Sequence, residues 1–328
     1  MLEVNGITTR YQTRRGVVHA VNDVSFEVSA GQIVAIVGES GCGKSATVRS
    51  ILGLIRPPGQ VVAGQARFED KDLLSMPRRA LRRMRGDQIG FVSQNPFGSL
   101  NPILRIRRQF HNIITAHSGR LPRARTRQMS LQALQAVGIP GPERVLDGYA
   151  HELSGGMAQR VVIGMAMVLD PKLVVADEPT TALDVTIQRQ ILDLMRDLVL
   201  TSGRAMLLVT HDLGVVAQYC DHVIVMYAGK VVERGTVAEV FARPAHPYTR
   251  ALLRSVPRRG EQVHTLRGRV ADLVDYPAGC PFADRCEFAL DRCRTEPPRL
   301  RPAFAAAGRL TSCHRSEQEV SPDVARIG

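Results

Sequence analysis

Eight consecutive residues, Gly38-Glu39-Ser40-Gly41-Cys42-Gly43-Lys44-Ser45, have the composition and spacing of a loop that wraps an anion. Glycines at 38, 41 and 43 let successive backbone N–H groups turn inward around phosphate oxygens. Lys44 would carry positive charge to the β- and γ-phosphates, and Ser45 would offer a hydroxyl to Mg2+. Ala46 falls in the first turn of the helix that follows, whose N-terminus would face the phosphates. The expected ligand chemistry is a nucleoside triphosphate with Mg2+.

A second chemical pattern is Leu173-Val174-Val175-Ala176-Asp177-Glu178, four apolar residues ending in two acids. Asp177 suits the Mg2+ shell, and Glu178, one residue on, is free to face an attacking water. Four polar or glycine positions, Gly38, Gln94, Asp177 and His211, lie at or near the ends of four apolar runs. A parallel sheet would gather such strand ends at its carboxyl edge, where sheets of this kind bind ligands. A third pattern is Cys280, Cys286, Cys293 and Cys313, spaced C-x5-C-x6-C-x19-C. Four thiolates suit an iron–sulfur cluster or tetrahedral zinc, and reduced cysteines without metal remain open.

Short apolar runs at Ile33–Val37, Ile89–Val92, Leu173–Ala176 and Met206–Val209 read as strands buried on both faces. Ser45–Leu54, Ala158–Val168 and Thr186–Leu200 read as helices. This alternation implies an α/β fold with a mainly parallel core sheet. Residues 21–28 alternate as a half-buried strand, and Val223–Tyr227 with Val231–Arg234 flank Ala228-Gly229 as a hairpin. From Pro96 the chain lacks clear strands and reads as a helical insertion, taken as about 96–155. Beyond residue 235 it turns rich in Pro, Arg and Cys and reads as an irregular extension, 236–328.

The chain has 328 residues and a formal net charge of +12, with arginine clusters at 78–85, 105–108 and 120–127. A basic balance suits polyanions, but no aromatic residues interleave the clusters as a single-strand nucleic-acid groove requires. The N-terminus lacks the features of a secretory signal, and no segment approaches the ~20 apolar residues that span a bilayer. The expected environment is the cytoplasm, where cysteine clusters hold metal more often than disulfides.

Leu153-Ser154-Gly155-Gly156-Met157-Ala158-Gln159-Arg160 resembles the signature motif of ATP-binding-cassette ATPases, and the other motifs follow in that family's order. Gln94 is similar to the glutamine loop, Asp177 and Glu178 to the second nucleotide motif, and Ala182-Leu183-Asp184 to the loop after it. His211 resembles the switch histidine and Tyr11 the aromatic that stacks on adenine. The resemblance covers about residues 1–235. It implies a phosphate-loop cassette in which Glu178, His211 and Gln94 are catalytic and Ser45, Gln94 and Asp177 hold Mg2+. It further implies head-to-tail pairing of two cassettes, with Leu153–Met157 contacting the partner's nucleotide and Asp184 in the interface loop.

Tyr149–Arg160, Asp177–Ile191, His246–Leu253 and the segment Asn95-Pro96 with Ser99–Pro102 are similar to the oligopeptide/dipeptide importer branch. Cys42 stands where that branch has Ser, which suggests sensitivity to thiol reagents, and Ala150 where it has Pro. Some members hold a four-iron cluster in the C-terminal extension. The resemblance therefore favours [4Fe–4S] on the four cysteines, with Arg285 and Arg292 offsetting its charge. It implies an ATPase on the cytoplasmic membrane face, peripheral, with two integral membrane permeases, a sister cassette subunit (a heterodimer) and an extracytoplasmic solute-binding protein. Substrate alternatives in the branch are metal chelates, opines and glutathione. The alternative class is a soluble cassette ATPase acting on nucleic acid or ribosomes. Such proteins insert a long coiled coil or carry two cassettes, and neither is present. Glu178 and His211 argue against a non-hydrolysing binding module.

Overall fold

The computed structural model describes residues 1–181, 183–256, 266, 268–304, 308–315 and 317–320. The chain folds as two compact units: Met1–Val28, Ile33–Leu74 and Val209–Gly328 form the first, and Ser29–Gln32 with Ser75–Leu208 the second.

The first unit holds an antiparallel sheet of strands Gly16–Val28, Leu2–Thr13, Gly59–Phe68 and Lys71–Asp72, in that order. It also holds the strand Ile33–Val37, buried at every residue because both faces are covered. That strand pairs in parallel with His222–Tyr227, Val34 opposite His222 and Val37 opposite Val225. Asp221 fixes its start: the Asp221 N–H donates to Ile33 O at 2.8 Å, and the carboxylate accepts the Ile33 N–H at 2.8 Å. His222–Tyr227 turns back into Lys230–Thr236 through Ala228 and Gly229, at φ 46° and 79°. Both turn residues are left-handed, as a tight hairpin with native strand twist requires.

Helices Val237–Ala242 and Pro247–Arg254 follow. Two-residue strands Leu310–Thr311 and Arg301–Pro302 then extend the sheet beyond Lys230–Thr236. The described part of the C-terminal region thus holds more regular elements than its composition suggests. Its Tyr248, Leu253 and Phe282 share one apolar cluster with Val37, Val225 and Tyr227 of the sheet, and Cys280 and Cys286 pack against it. Beneath, the buried Glu233 carboxylate accepts the N–H groups of Ala245 (2.8 Å) and His246 (2.9 Å) and faces the Arg309 guanidinium at 3.1 Å.

In the second unit, Ile89–Val92 and Leu173–Asp177 run parallel, Ile89 opposite Leu173 and Val92 opposite Ala176. The N–H of Ala205, opening the strand Ala205–Val209, donates to Lys172 O at 3.0 Å. Between the first two strands the chain is helical: Ile106–Ser118, Arg123–Ala136, Pro142–Asp147 and Gly155–Met167, among shorter turns. Ile106–Ser118 buries Ile106, Gln109, Phe110 and Ile114, a spacing that lines one helix face. Buried Gln109 is satisfied by the loop before it, donating to Asn101 O and Leu104 O and accepting the Asn101 N–H. Arg78–Asp87 is a helix too, burying only Leu81 and Met84. Among the described residues no helix is long and apolar enough to cross a membrane.

Candidate functional site

The phosphate loop lies in the first unit, between the strand Ile33–Val37 and the helix Lys44–Ile51. Its path admits few side chains. Gly38 has φ 150°, and a Cβ there would lie 2.2 Å from Met226 O and 2.7 Å from Cys42 Sγ. At Gly43, with φ 104°, a Cβ would lie 2.4 Å from Ala20 O. Lys44 is buried, its ammonium donating to Gly38 O (2.8 Å) and Glu39 O (3.0 Å). The loop is thereby closed on its own lysine. Ser40 and Gly41 are exposed, and Ser45 and Ala46 half-buried at the helix start.

Cys42 is fully buried, and burial pushes its thiol above the ordinary range. A shielded, protonated thiol is a poor nucleophile, which corrects the expectation of thiol-reagent sensitivity. Tyr11 sits in the strand Leu2–Thr13 opposite Val18 and Gly59. A Cβ at Gly59 would lie 2.4 Å from the Tyr11 ring, so glycine there lets the backbone pack on it. His211 is exposed one residue beyond Thr210, whose N–H donates to Ile36 O at 3.2 Å. The first unit therefore brings the phosphate loop and the His211 strand end together.

The second unit assembles the carboxylates. Asp177 is buried at the end of Leu173–Asp177. Glu178 follows at φ 47°, a left-handed conformation that costs a non-glycine residue about 1–3 kcal/mol and clusters at functional sites. The Glu178 carboxylate accepts from Gln94 Nε2 and from Thr181 Oγ1, both at 3.0 Å. The parallel pairing of Val92 with Ala176 brings Gln94 to this place. Thr181 is a partner that sequence reasoning missed, although it lies three residues from Glu178.

Signature residues Leu153, Ser154, Gly155, Gly156 and Met157 open the helix Gly155–Met167. The Ser154 hydroxyl caps it, accepting the Met157 N–H at 3.4 Å. At Gly156 a Cβ would lie 2.8 Å from Ile187 Cγ2, so the residue is fixed by packing. Asp184 caps the helix Val185–Leu200, accepting the Ile187 N–H at 2.9 Å. Ala182 lies outside the described residues. A cavity of about 580 Å³ lies elsewhere in this unit, lined by Arg105, Arg107, Arg108, Arg123, Arg127 and Tyr149 among others. It touches none of these motif residues.

All four C-terminal cysteines line one small cavity in the first unit, with Phe282 and Phe288. None forms a disulfide. Burial pushes the Cys280 thiol up to about 11, Cys286 up to about 12 and Cys313 upward. Among the described residues no three His, Cys, Asp or Glu side chains are grouped to hold a metal ion. The donor chemistry of four cysteines suits a thiolate-held centre. Of the two expected counter-charges, Arg285 instead pairs with Glu39 of the phosphate loop, while Arg292 donates to His314 O, next to Cys313.

Comparison with known proteins shows the family to which this fold belongs. The family described as "ABC transporter" matches residues 21–181, and the family "Oligopeptide/dipeptide transporter, C-terminal region" matches residues 232–293. A "Probable peptide ABC transporter ATP-binding protein" of Sinorhizobium fredii is 45% identical, over 98% of this chain and 96% of its own length. The oligopeptide transport ATP-binding protein OppD of Salmonella typhimurium is 42% identical, over 98% of this chain and 95% of its own. Among solved structures, the dimeric ATP-binding cassette MJ0796 bound to ADP and Pi aligns with a TM-score of 0.65 and 27% identity, over 72% of this chain and 99% of that one. The cbiO1 protein of Clostridium perfringens aligns with a TM-score of 0.62 and 30% identity, over 74% and 90%.

Proposed function

Because this chain belongs to the ABC transporter ATPase family, we propose that it hydrolyses ATP to energise import of oligopeptides or dipeptides through separate membrane permeases. Relatives of nearly full-length match are named for peptide transport, which supports that substrate class over metal chelates, opines or glutathione. In domain terms, 1–235 is the proposed cassette and 236–328 its extension.

The contact of Gln94 with Glu178 carries the catalytic part of the reading. Glu178 is the proposed base or positioner for the attacking water, held by an amide and the Thr181 hydroxyl. Gly38, Ser40, Gly41, Cys42, Gly43, Lys44, Ser45 and Ala46 would wrap the phosphates, and Tyr11 would stack on the base. Mg2+, when bound, neutralises charge developing on the phosphates; Ser45, Gln94 and Asp177 are its proposed ligands. His211 is the proposed sensor of the γ-phosphate. Leu153–Met157 would contact nucleotide on a sister cassette, with Asp184 in that interface; Val185 beside it is 82% exposed.

The permease contact is assigned to Gln94–Pro102 and its flank. Phe97 and Ile103 there expose large apolar side chains, 45% and 81%, which suits a partner surface. A photocrosslinker at Ser99, which is exposed, should capture a permease; Leu100 is buried and is the wrong position. Capture of nucleic acid instead, with no permease, would favour the soluble ATPase class. The working location is the cytoplasmic face of the membrane, with two permeases, a sister ATPase subunit and an extracytoplasmic binding protein.

For Cys280, Cys286, Cys293 and Cys313 the reading is a [4Fe–4S] cluster, supported by their shared cavity, with zinc or no metal as the competing states. Its role would be structural or redox-sensing, pinning a segment with little core of its own. Anaerobically purified protein should contain about four irons per chain. Stoichiometric zinc, or no metal with an ordered extension, would reject the cluster.

A further inference from the structure

Glu39 is the second residue of the phosphate loop, a place where a carboxylate faces a difficulty. The loop exists to gather a highly charged anion, and an uncompensated acid beside it repels that anion. The structure shows how this chain meets the difficulty. Arg285, from the cysteine-bearing segment 246 positions away, donates to both Glu39 oxygens: Nη1 to Oε2 at 2.7 Å and Nη2 to Oε1 at 3.0 Å. This is the bidentate fork of a strong guanidinium–carboxylate pair.

The guanidinium is itself fixed. Its side chain is only 5% exposed, Nη1 also donates to Tyr227 Oη at 3.3 Å, and Cζ lies 5.7 Å from the Tyr227 ring centroid and 5.8 Å from that of Phe282. The same Glu39 is held a second time: its backbone N–H donates to Tyr248 Oη at 2.9 Å. Tyr248 is fully buried and packs against Phe282 at 5.4 Å and Tyr227 at 4.7 Å. Two side chains from beyond residue 236 thus grip one loop residue, whose carbonyl in turn accepts from Lys44.

We propose that Arg285 is a positioning residue for nucleotide binding: it fixes and neutralises the Glu39 carboxylate so that an acid-bearing phosphate loop can accept a triphosphate. The cysteine-bearing segment then belongs to the nucleotide site through Arg285, rather than lying apart from it. The proposal rests on the assignment of residues 38–45 to ATP, and it separates charge compensation from simple anchoring by sign. Removing the arginine leaves an unpaired acid beside the phosphates. Removing the acid leaves none. Removing both also leaves none.

The test uses the full-length chain and measures MgATP affinity by displacement of a fluorescent ATP analogue, with thermal melts alongside. Arg285→Gln should weaken MgATP about tenfold, a defect that shrinks as salt is raised. Glu39→Gln should bind as well as wild type or better. The double variant Glu39→Gln/Arg285→Gln should recover to within about threefold of wild type. Arg285→Lys, which keeps the charge and loses the fork, should fall between wild type and Arg285→Gln, and it serves if Arg285→Gln does not fold. Unchanged affinity in Arg285→Gln would overturn the proposal. So would a double variant as weak as Arg285→Gln, which would make Arg285 an anchor of the extension only. Lys44→Ala is the control for the underlying assignment: near-normal binding by that variant would reject the loop as the nucleotide site, whatever Arg285 does.

Discussion

The phosphate loop and the four-cysteine segment are both loop-built regions of the same unit, and they are held in opposite ways. The loop is specified by what cannot fit. At Gly38 and Gly43 neighbouring backbone carbonyls leave no room for a Cβ, and φ is positive at both. The cysteine segment is specified by what it grips. Cys280 N–H donates to Cys293 O at 2.7 Å, Phe282 enters the aromatic cluster, and Arg285 reaches Glu39. A region fixed by backbone exclusion leaves glycines at set spacing. A region fixed by long-range side-chain contacts leaves almost no local trace.

The sharpest way to break this comparison is Gly38→Val. With Met226 O 2.2 Å from the new Cβ and a β-branched residue at φ 150°, the loop must move, and MgATP binding should be lost while the cysteine segment persists. Retained binding would show that the loop is less sterically determined than its geometry indicates. Next in size is Glu233→Ala, which leaves Arg309 buried without its carboxylate and strands the N–H groups of Ala245 and His246. A cost of about 3–5 kcal/mol is expected, read as a lowered denaturation midpoint. The C-terminal region should lose its docking before the rest of the chain, and limited proteolysis should cut there first.

Asp221→Ala removes the carboxylate that accepts the Ile33 N–H, and should cost about 1–3 kcal/mol in the strand leading to the loop. Smallest is Cys286→Ser in metal-free protein. It should cost about 1 kcal/mol, since the thiol is partly buried but makes none of the contacts to Glu39. MgATP affinity should shift by less than about threefold. A larger shift would mean that the thiol itself helps seat Arg285.

Legibility in the sequence followed the same division. The strands Ile33–Val37, Ile89–Val92 and Leu173–Asp177 were readable because burial on both faces makes them uninterrupted apolar runs. The loop Gly38–Ser45 and the Asp177-Glu178 pair were readable because each chemistry requires particular residues at fixed spacing, whereas the Ser154 helix start came only through the family resemblance of residues 153–160. Leu2–Thr13 and Gly59–Phe68 escaped, since register shifts near Ile7, Thr8 and Thr9 break the period-two alternation that marks a strand. The helix Arg78–Asp87 was hidden by arginines that read as a charge cluster, with only Leu81 and Met84 marking its buried side. Helices Val237–Ala242 and Pro247–Arg254 are too short to show a period. The pairing of Arg285 with Glu39 spans 246 positions, and nothing local to either residue announces it.

On the reading proposed above, coupling of this chain to transport rests on Glu178 acting on water at a bound triphosphate, and mutating that carboxylate tests it most directly. ATP binding and steady-state turnover should be compared for wild type and Glu178→Gln in the complex assembled with its permeases. Glu178→Gln is predicted to bind MgATP and to turn it over at least about 10²-fold more slowly. Turnover near the wild-type rate would contradict this role, because the carboxylate held by Gln94 and Thr181 would then have no part in hydrolysis.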